Sequence, residues 1–244
     1  MDKKAIRNFA INARRKLIDE VTTKAKRLGI NEAGIEKTKL IDNELQEIES
    51  SGVRLQGKEI AQRNKLITEL KQRSSITSHS EAFQELIEEV AYTWFNRLIA
   101  IRFMEVNDYL PDTYRVLSSE TNGKTEPDII TDIYDSDIYE ALSRNDQQQI
   151  QVWKSDNSAE AMDKMYQLVF IKICNQLNDY LPELFEKVED YTELLFTASY
   201  IKKDGVIADL LGVPEDDFNV QKGGQVEIIG WLYQYYNSEP HNQV

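Results

Sequence analysis

Cysteine occurs once, at Cys174, so no internal disulfide can form and the chain suits a reducing compartment. Histidine occurs twice, at His79 and His241. Both fall in stretches that read as linker and tail, at no spacing that would make a metal site with Cys174. Five prolines and ten glycines are few for 244 residues, which favours long helices over turn-rich architecture. No Gly-x-Gly loop follows a strand, so a phosphate cradle is missing, and Gly223-Gly224 sits in an acidic linker instead. No serine or cysteine has the local setting of an activated nucleophile. No apolar run reaches the roughly 18 residues needed to span a membrane. Met1-Asp2-Lys3-Lys4 leads into charge-interrupted sequence with no signal-peptide core. A cytoplasmic location is the expectation.

What is present is charge, unevenly placed. The net charge of −13 combines +6 over residues 1–80 with −19 over residues 81–244. The sequence therefore divides into a basic N-terminal helical arm, 1–80, and an acidic helical body, 81–244. Such a pairing fits nucleic-acid contact, and it equally fits a lysine- and arginine-rich helix solvated or docked on the acidic body.

Hydrophobic spacing predicts helices almost throughout. Ile6, Ala10, Ala13, Leu17, Val21, Ala25 and Leu28 recur at three and four over residues 3–28, with Gly29 as C-cap. Lys3, Arg7 and Arg14 line up on this helix, beside a row of Lys4, Arg15 and Lys26. Leu40, Ile41, Leu45 and Ile48 suggest a short helix between Gly34 and Gly52. Further helices are expected over 58–73, 81 to about 108 with Ser80 as N-cap, 128–142, 146–153, 159–178, 183–188, 192–199, 205–211 and 226–236. Arg115–Ser119 reads as a short extended piece. The fold class is all-α, an irregular multi-helix bundle with a long buried central helix.

That central helix carries the most information. Ala91-Tyr92-Thr93-Trp94-Phe95-Asn96-Arg97-Leu98-Ile99-Ala100-Ile101-Arg102-Phe103-Met104-Glu105 is apolar nearly all round, yet holds Asn96, Arg97, Arg102 and Glu105. A surface helix would gather these on one face. They are expected to form an internal network, with Arg102 and Glu105 three apart and able to meet. Trp94, Trp231 and their aromatic neighbours have helical spacing that favours packing over base stacking. The same holds for Cys174 beside Phe170 and Ile173. The acid clusters Asp132/Asp135/Asp137, Glu186/Glu189/Asp190 and Glu215/Asp216/Asp217 read as solvated faces before catalytic pairs.

Residues 91–110 (AYTWFNRLIAIRFMEVNDYL) resemble the N-terminal region of the PglX family, the adenine-specific DNA methyltransferases of BREX phage-defence systems. Related large type II restriction–modification enzymes are similar. Residues 226–239 (VEIIGWLYQYYNSE) resemble the segment that leads toward the catalytic domain in that family. The resemblance implies a longer parent enzyme with S-adenosylmethionine as cofactor. Its Asp-Pro-Ala-Cys-Gly-Ser-Gly and Asn-Pro-Pro-Tyr motifs would lie downstream. Neither motif is present in this sequence, and Pro-Pro does not occur in it. No catalytic, cofactor or metal residue is therefore expected in this chain, which reads as an N-terminal fragment or a gene split at this point. The partners implied are the catalytic domain, double-stranded DNA and other BREX components. DNA contact would fall to Lys3, Lys4, Arg7, Arg14, Arg15 and Lys26. The alternative is a protein-interaction scaffold that docks other defence components or is the target of a phage inhibitor.

Overall fold

The computed structural model describes residues 3–42, 44–182, 185, 190–224 and 226–238. In chain order they form α1 (Lys3–Arg27), β1 (Ile30–Asn31), β2 (Gly34–Ile35), β3 (Thr38–Leu40), β4 (Leu45–Ile48), β5 (Arg54–Gln56), α2 (Lys58–Arg73) and α3 (His79–Val106). There follow α4 (Asp128–Thr131), a 3-10 turn (Ile133–Asp135), α5 (Asp137–Ala141), α6 (Arg144–Asp156) and α7 (Ala159–Leu177). The chain closes with α8 (Tyr191–Leu194), α9 (Val206–Leu211), α10 (Glu215–Phe218), a second 3-10 turn (Val220–Lys222) and α11 (Glu227–Tyr236). The fold is mostly helical, and the strands correct the strictly all-α reading. No helix among the described residues is long and apolar enough to cross a membrane.

The largest correction lies between Gly34 and Gly52, where a helix was expected and antiparallel strands are found. β1 pairs with β2, and β3, β4 and β5 form a three-stranded meander. The first hairpin is set by Asn31, whose Oδ1 accepts from the N–H groups of Ala33 and Gly34 at 2.8 and 3.1 Å. This side-chain turn reverses the chain where a helix would have to begin. Leu40 and Ile41 stay exposed, while Ile48 and Leu55 are buried. The four-residue spacing that imitated a helix therefore joins residues of two strands.

Other boundaries moved as well. The stretch 128–142 breaks into α4, a 3-10 turn and α5, because Ser136 caps α5 by accepting from the Tyr139 N–H. The long helix starts at His79, not after Ser80. Ser78 caps it in a reciprocal box: its Oγ accepts from the Glu81 N–H at 3.2 Å, and Glu81 Oε2 accepts from the Ser78 N–H at 3.1 Å. Thr192–Ser199 is helical only as Tyr191–Leu194. All of the helix expected at 183–188 except Phe185, the acids Glu186 and Glu189, and His241 lie outside the described residues.

The chain divides into two compact units. The first comprises Met1–Lys16, Phe95–Lys187 and Ala198–Val244. Its core is built on the wide apolar face of α7, where Met162, Met165, Tyr166, Val169, Phe170, Ile173, Cys174 and Leu177 are all buried. Ile99, Ile129, Leu210, Phe218 and Leu232 are buried in the same unit. The step from α6 to α7 takes two residues: Asn157 in left-handed geometry ends one helix and Ser158 caps the next.

The second unit comprises Leu17–Trp94 and Val188–Thr197. Its core includes Leu17, Val21 and Leu28 from α1, Leu66 and Leu70 from α2, and Phe83, Leu86 and Val90 from α3. Arg63 of α2 is buried there and donates to the carbonyls of Leu28 and Glu36 at 2.8 and 2.7 Å. Gly29 has φ +71°, and a side chain at this position would meet Glu36 Cβ at 3.0 Å, so glycine serves both the turn and the close approach.

Candidate functional site

Three features of the first unit hold its chemistry: a buried ion network, a cationic face of α1 and an open apolar groove. The network starts at the C-terminal end of α3. Arg102 Nη1 donates to Glu105 Oε1 at 2.7 Å and to Ser118 Oγ at 3.1 Å. Glu105 Oε2 accepts from the N–H groups of Val116 and Leu117 at 2.9 and 2.8 Å, and the Ser118 hydroxyl donates to Oε1 at 3.0 Å. A carboxylate with this many donors is held in a fixed geometry and folds the 116–118 segment onto the helix.

Arg102 reaches further, from Nη2 to Glu215 Oε2 at 3.2 Å, and Arg115 meets the same carboxylate with both terminal nitrogens, at 2.8 and 3.3 Å. The Arg115 hydrogen bond holds the Glu215 carboxyl below the usual carboxylate range, against the opposing effect of burial. The Arg102 guanidinium also lies 5.9 Å from the Phe218 ring centre. Arg115, Ser118 and Glu215 were not among the residues expected here. The bonds that bring them into the network span 13 to 113 residues of chain and give no periodic signal.

The other two expected members behave differently. Arg97 is buried beside Cys174, whose thiol is pushed up to about 12 by burial, with the arginine charge opposing. Asn96 Oδ1 has no hydrogen-bond partner among the described residues. Asn107, not singled out from sequence, is a further pin: its Nδ2 donates to the Phe103 and Phe218 carbonyls at 2.8 and 2.9 Å, and its Oδ1 accepts from the Val220 N–H at 3.0 Å.

On α1, Lys3, Lys4, Arg7 and Arg15 are exposed. Arg14 is not: it is 9% exposed and lies over the Tyr236 ring at 5.8 Å. The same helix end is tied down by Lys3, whose Nζ lies 4.4 Å from the Trp231 ring centre. Phe9 stacks on Phe95 with ring centres 6.2 Å apart, and Tyr236 lies tilted against Phe95 at 4.4 Å. Trp231 and Tyr236 of α11 are thus engaged with α1, and Tyr236 also with α3. Lys26, the sixth expected cation, belongs to the second unit, is exposed and pairs with Glu32 at 3.3 Å.

The groove is a cavity of about 610 Å³ lined by Ala100, Phe103, Met104, Tyr109, Pro111, Leu177, Tyr180, Leu181 and Ile229. Its rim is set by the end of α3. Asp108 takes left-handed geometry at φ 56°, and the Tyr109 N–H then donates back to the Met104 carbonyl at 2.9 Å. This closes the helix as a Schellman turn and lays Tyr109 against Phe103, ring centres 6.1 Å apart.

Among the described residues, no group of three His, Cys, Asp or Glu side chains suited to a metal ion occurs. Asp190 caps α8 by accepting from the Thr192 N–H at 3.0 Å, and His79 Nε2 lies 2.9 Å from the Asn31 carbonyl.

No protein-family model matches the chain. The adenine-specific methyltransferase PglX of Lacticaseibacillus casei (strain Zhang) is 50% identical over 243 residues, which cover 98% of this chain and 20% of that protein. The adenine-specific methyltransferase BrxX of Escherichia coli O9:H4 (strain HS) is 33% identical over 248 aligned residues, covering 100% of this chain and 19% of that protein. The chain spans about one fifth of the length of these curated relatives.

Proposed function

We propose, for a chain that belongs along nearly its whole length to the PglX and BrxX adenine-specific methyltransferases, that it is the helical, non-catalytic N-terminal part of such an enzyme in a BREX-type phage-defence system. The observation that carries this reading is the 50% identity sustained over 98% of the chain. The parent enzyme would transfer a methyl group from S-adenosylmethionine to the N6 of an adenine flipped out of the duplex. This chain would supply neither the cofactor cradle nor the catalytic motif, consistent with the absence of both sequence patterns. Its part is to pack on the catalytic domain and to contact DNA phosphates. In this reading the net positive residues 1–80 serve the DNA and the net negative residues 81–244 serve protein contacts.

The DNA contact falls to the exposed Lys3, Lys4, Arg7 and Arg15 of α1, with Lys26 further along. Arg14, buried against Tyr236, supports that face from beneath. Binding should be visible in a mobility shift with duplex DNA at low salt. Reversing both Arg7 and Arg15 to Glu should weaken it at least about tenfold, uniformly across sequences, and reduce the salt slope by about 2. Unchanged binding by that variant, or no shift at all at low salt, would falsify the DNA role and leave the packing role to stand by itself.

A second reading, a docking scaffold for other defence components or a phage inhibitor, is favoured by the open apolar groove and the −19 charge of residues 81–244. A pull-down with those proteins, run beside the mobility shift, separates the two.

A further inference from the structure

We infer that the groove between the ends of α3 and α7 and the face of α11 is a docking site for an apolar helix flanked by lysine or arginine, supplied by the remaining four fifths of the parent enzyme. The inference rests on the reading of this chain as part of a methyltransferase, and adds to it the surface used and the chemistry of its occupant.

Three observations carry it. The first is an unfilled apolar surface. Phe103 and Met104 of α3 and Ile229 of α11 line a cavity of about 610 Å³, large enough for several large side chains. Its rim leaves Tyr109 56%, Tyr180 63% and Leu181 42% exposed. Large apolar groups gathered at one opening mark an interaction site, whereas the same groups scattered singly would not.

The second observation is the charge around it. Asp108 and Asp179 each precede a rim tyrosine and are exposed. Neither carboxylate has an ion-pair partner among the described residues. Two long helices, α3 and α7, also end at this opening. Their C-terminal carbonyls add partial negative charge of the same sign. An apolar floor beside two exposed carboxylates and two helix C-termini is complementary to an amphipathic segment with cationic flanks, and disfavours an acidic one.

The third is length. The relatives are about five times longer than the region this chain matches, which leaves four fifths of such an enzyme as the source of the occupant.

The test places this chain in the Lacticaseibacillus casei PglX in exchange for the matching fifth, with Tyr180 replaced by the photo-crosslinking residue p-benzoylphenylalanine. Mapping of cross-linked peptides should find labelling within the remaining four fifths, on a peptide rich in apolar residues and flanked by Lys or Arg. Combining Asp108→Lys with Asp179→Lys should cut that labelling at least fivefold. Both positions are exposed, and circular dichroism checks that the fold is kept. A probe at Leu181 replaces the first if Tyr180 does not tolerate the change. Labelling of a second copy of the chain, no labelling, or labelling unaffected by the charge reversal overturns the inference. DNA methylation by the unsubstituted chimera is assayed in parallel. A chimera that methylates without the cross-link sinks the docking site alone. One that cross-links but never methylates supports the docking site and sinks the methyltransferase role.

Discussion

Glu105 is the residue on which most local structure converges. It is 2% exposed and accepts from Arg102, Ser118 and two backbone N–H groups. Removing one member of a buried ion pair leaves an uncompensated charge, which costs far more than the pair contributes. Glu105→Ala should lower stability by about 3–5 kcal/mol, read from urea unfolding of the isolated chain. A loss under 1 kcal/mol would mean that water relieves Arg102 and that the pair is not isolated from solvent. Glu215 gives a pH signature at the edge of the same network. Its pKa is held down from 4.5 in the folded state, so its share of stability is full above that value and is lost as pH falls below it. The carboxylate is partly exposed, which keeps the effect small. Acid titration of the melting temperature should fall less steeply below pH 4.5 in Glu215→Gln than in the unaltered chain. The Arg102–Glu105 pair was legible because three residues on a helix bring two side chains together. Arg115 and Glu215 were not, because partners that meet only through tertiary folding leave no mark on local spacing.

At the scale of elements, legibility followed length. Every apolar position read from the spacing of α1 is buried, from Ile6 to Leu28, and the bounds of α2 match the expected 58–73. Both helices are long enough for a 3.6-residue period to repeat. β1 to β5 are two to four residues each, too short to display alternation, and the side-chain turn at Asn31 decides their course. The cap of α3 was the other weak point: Ser80 was expected, although Ser78 and Glu81 have the capping-box spacing that the bonds between them bear out. The end of α3 allows a direct test. Asp108 sits in left-handed geometry that costs a non-glycine residue about 1–2 kcal/mol, whereas glycine loses about 0.5–1 kcal/mol of extra chain entropy. Asp108→Gly should therefore stabilise the chain by about 0.5–1 kcal/mol, measured by chemical denaturation. Destabilisation would show that the aspartate contributes an interaction of its own at the helix end.

For the whole molecule, charge sets the expected response to salt. With net charge −13, the chain repels DNA except where exposed cations gather. If Lys3, Lys4, Arg7, Arg15 and Lys26 each meet one phosphate, the logarithm of the binding constant should fall with the logarithm of salt at a slope of about −4 to −5. Fewer contacts flatten the slope in proportion, which makes the salt series a count of the cations in use. The division into two units has a different consequence, concerning time and not space. Trp94 is fully buried in the second unit, its Nε1 donating to the Thr192 carbonyl at 3.2 Å and its ring 4.2 Å from that of Phe196. Both partners belong to the short return segment Val188–Thr197. The ribosome must make the intervening stretch first, which at bacterial rates takes roughly 5–20 s. Throughout that delay the indole lacks its cover, and the nascent chain presents a tryptophan-centred apolar face of the kind that chaperones hold until synthesis catches up.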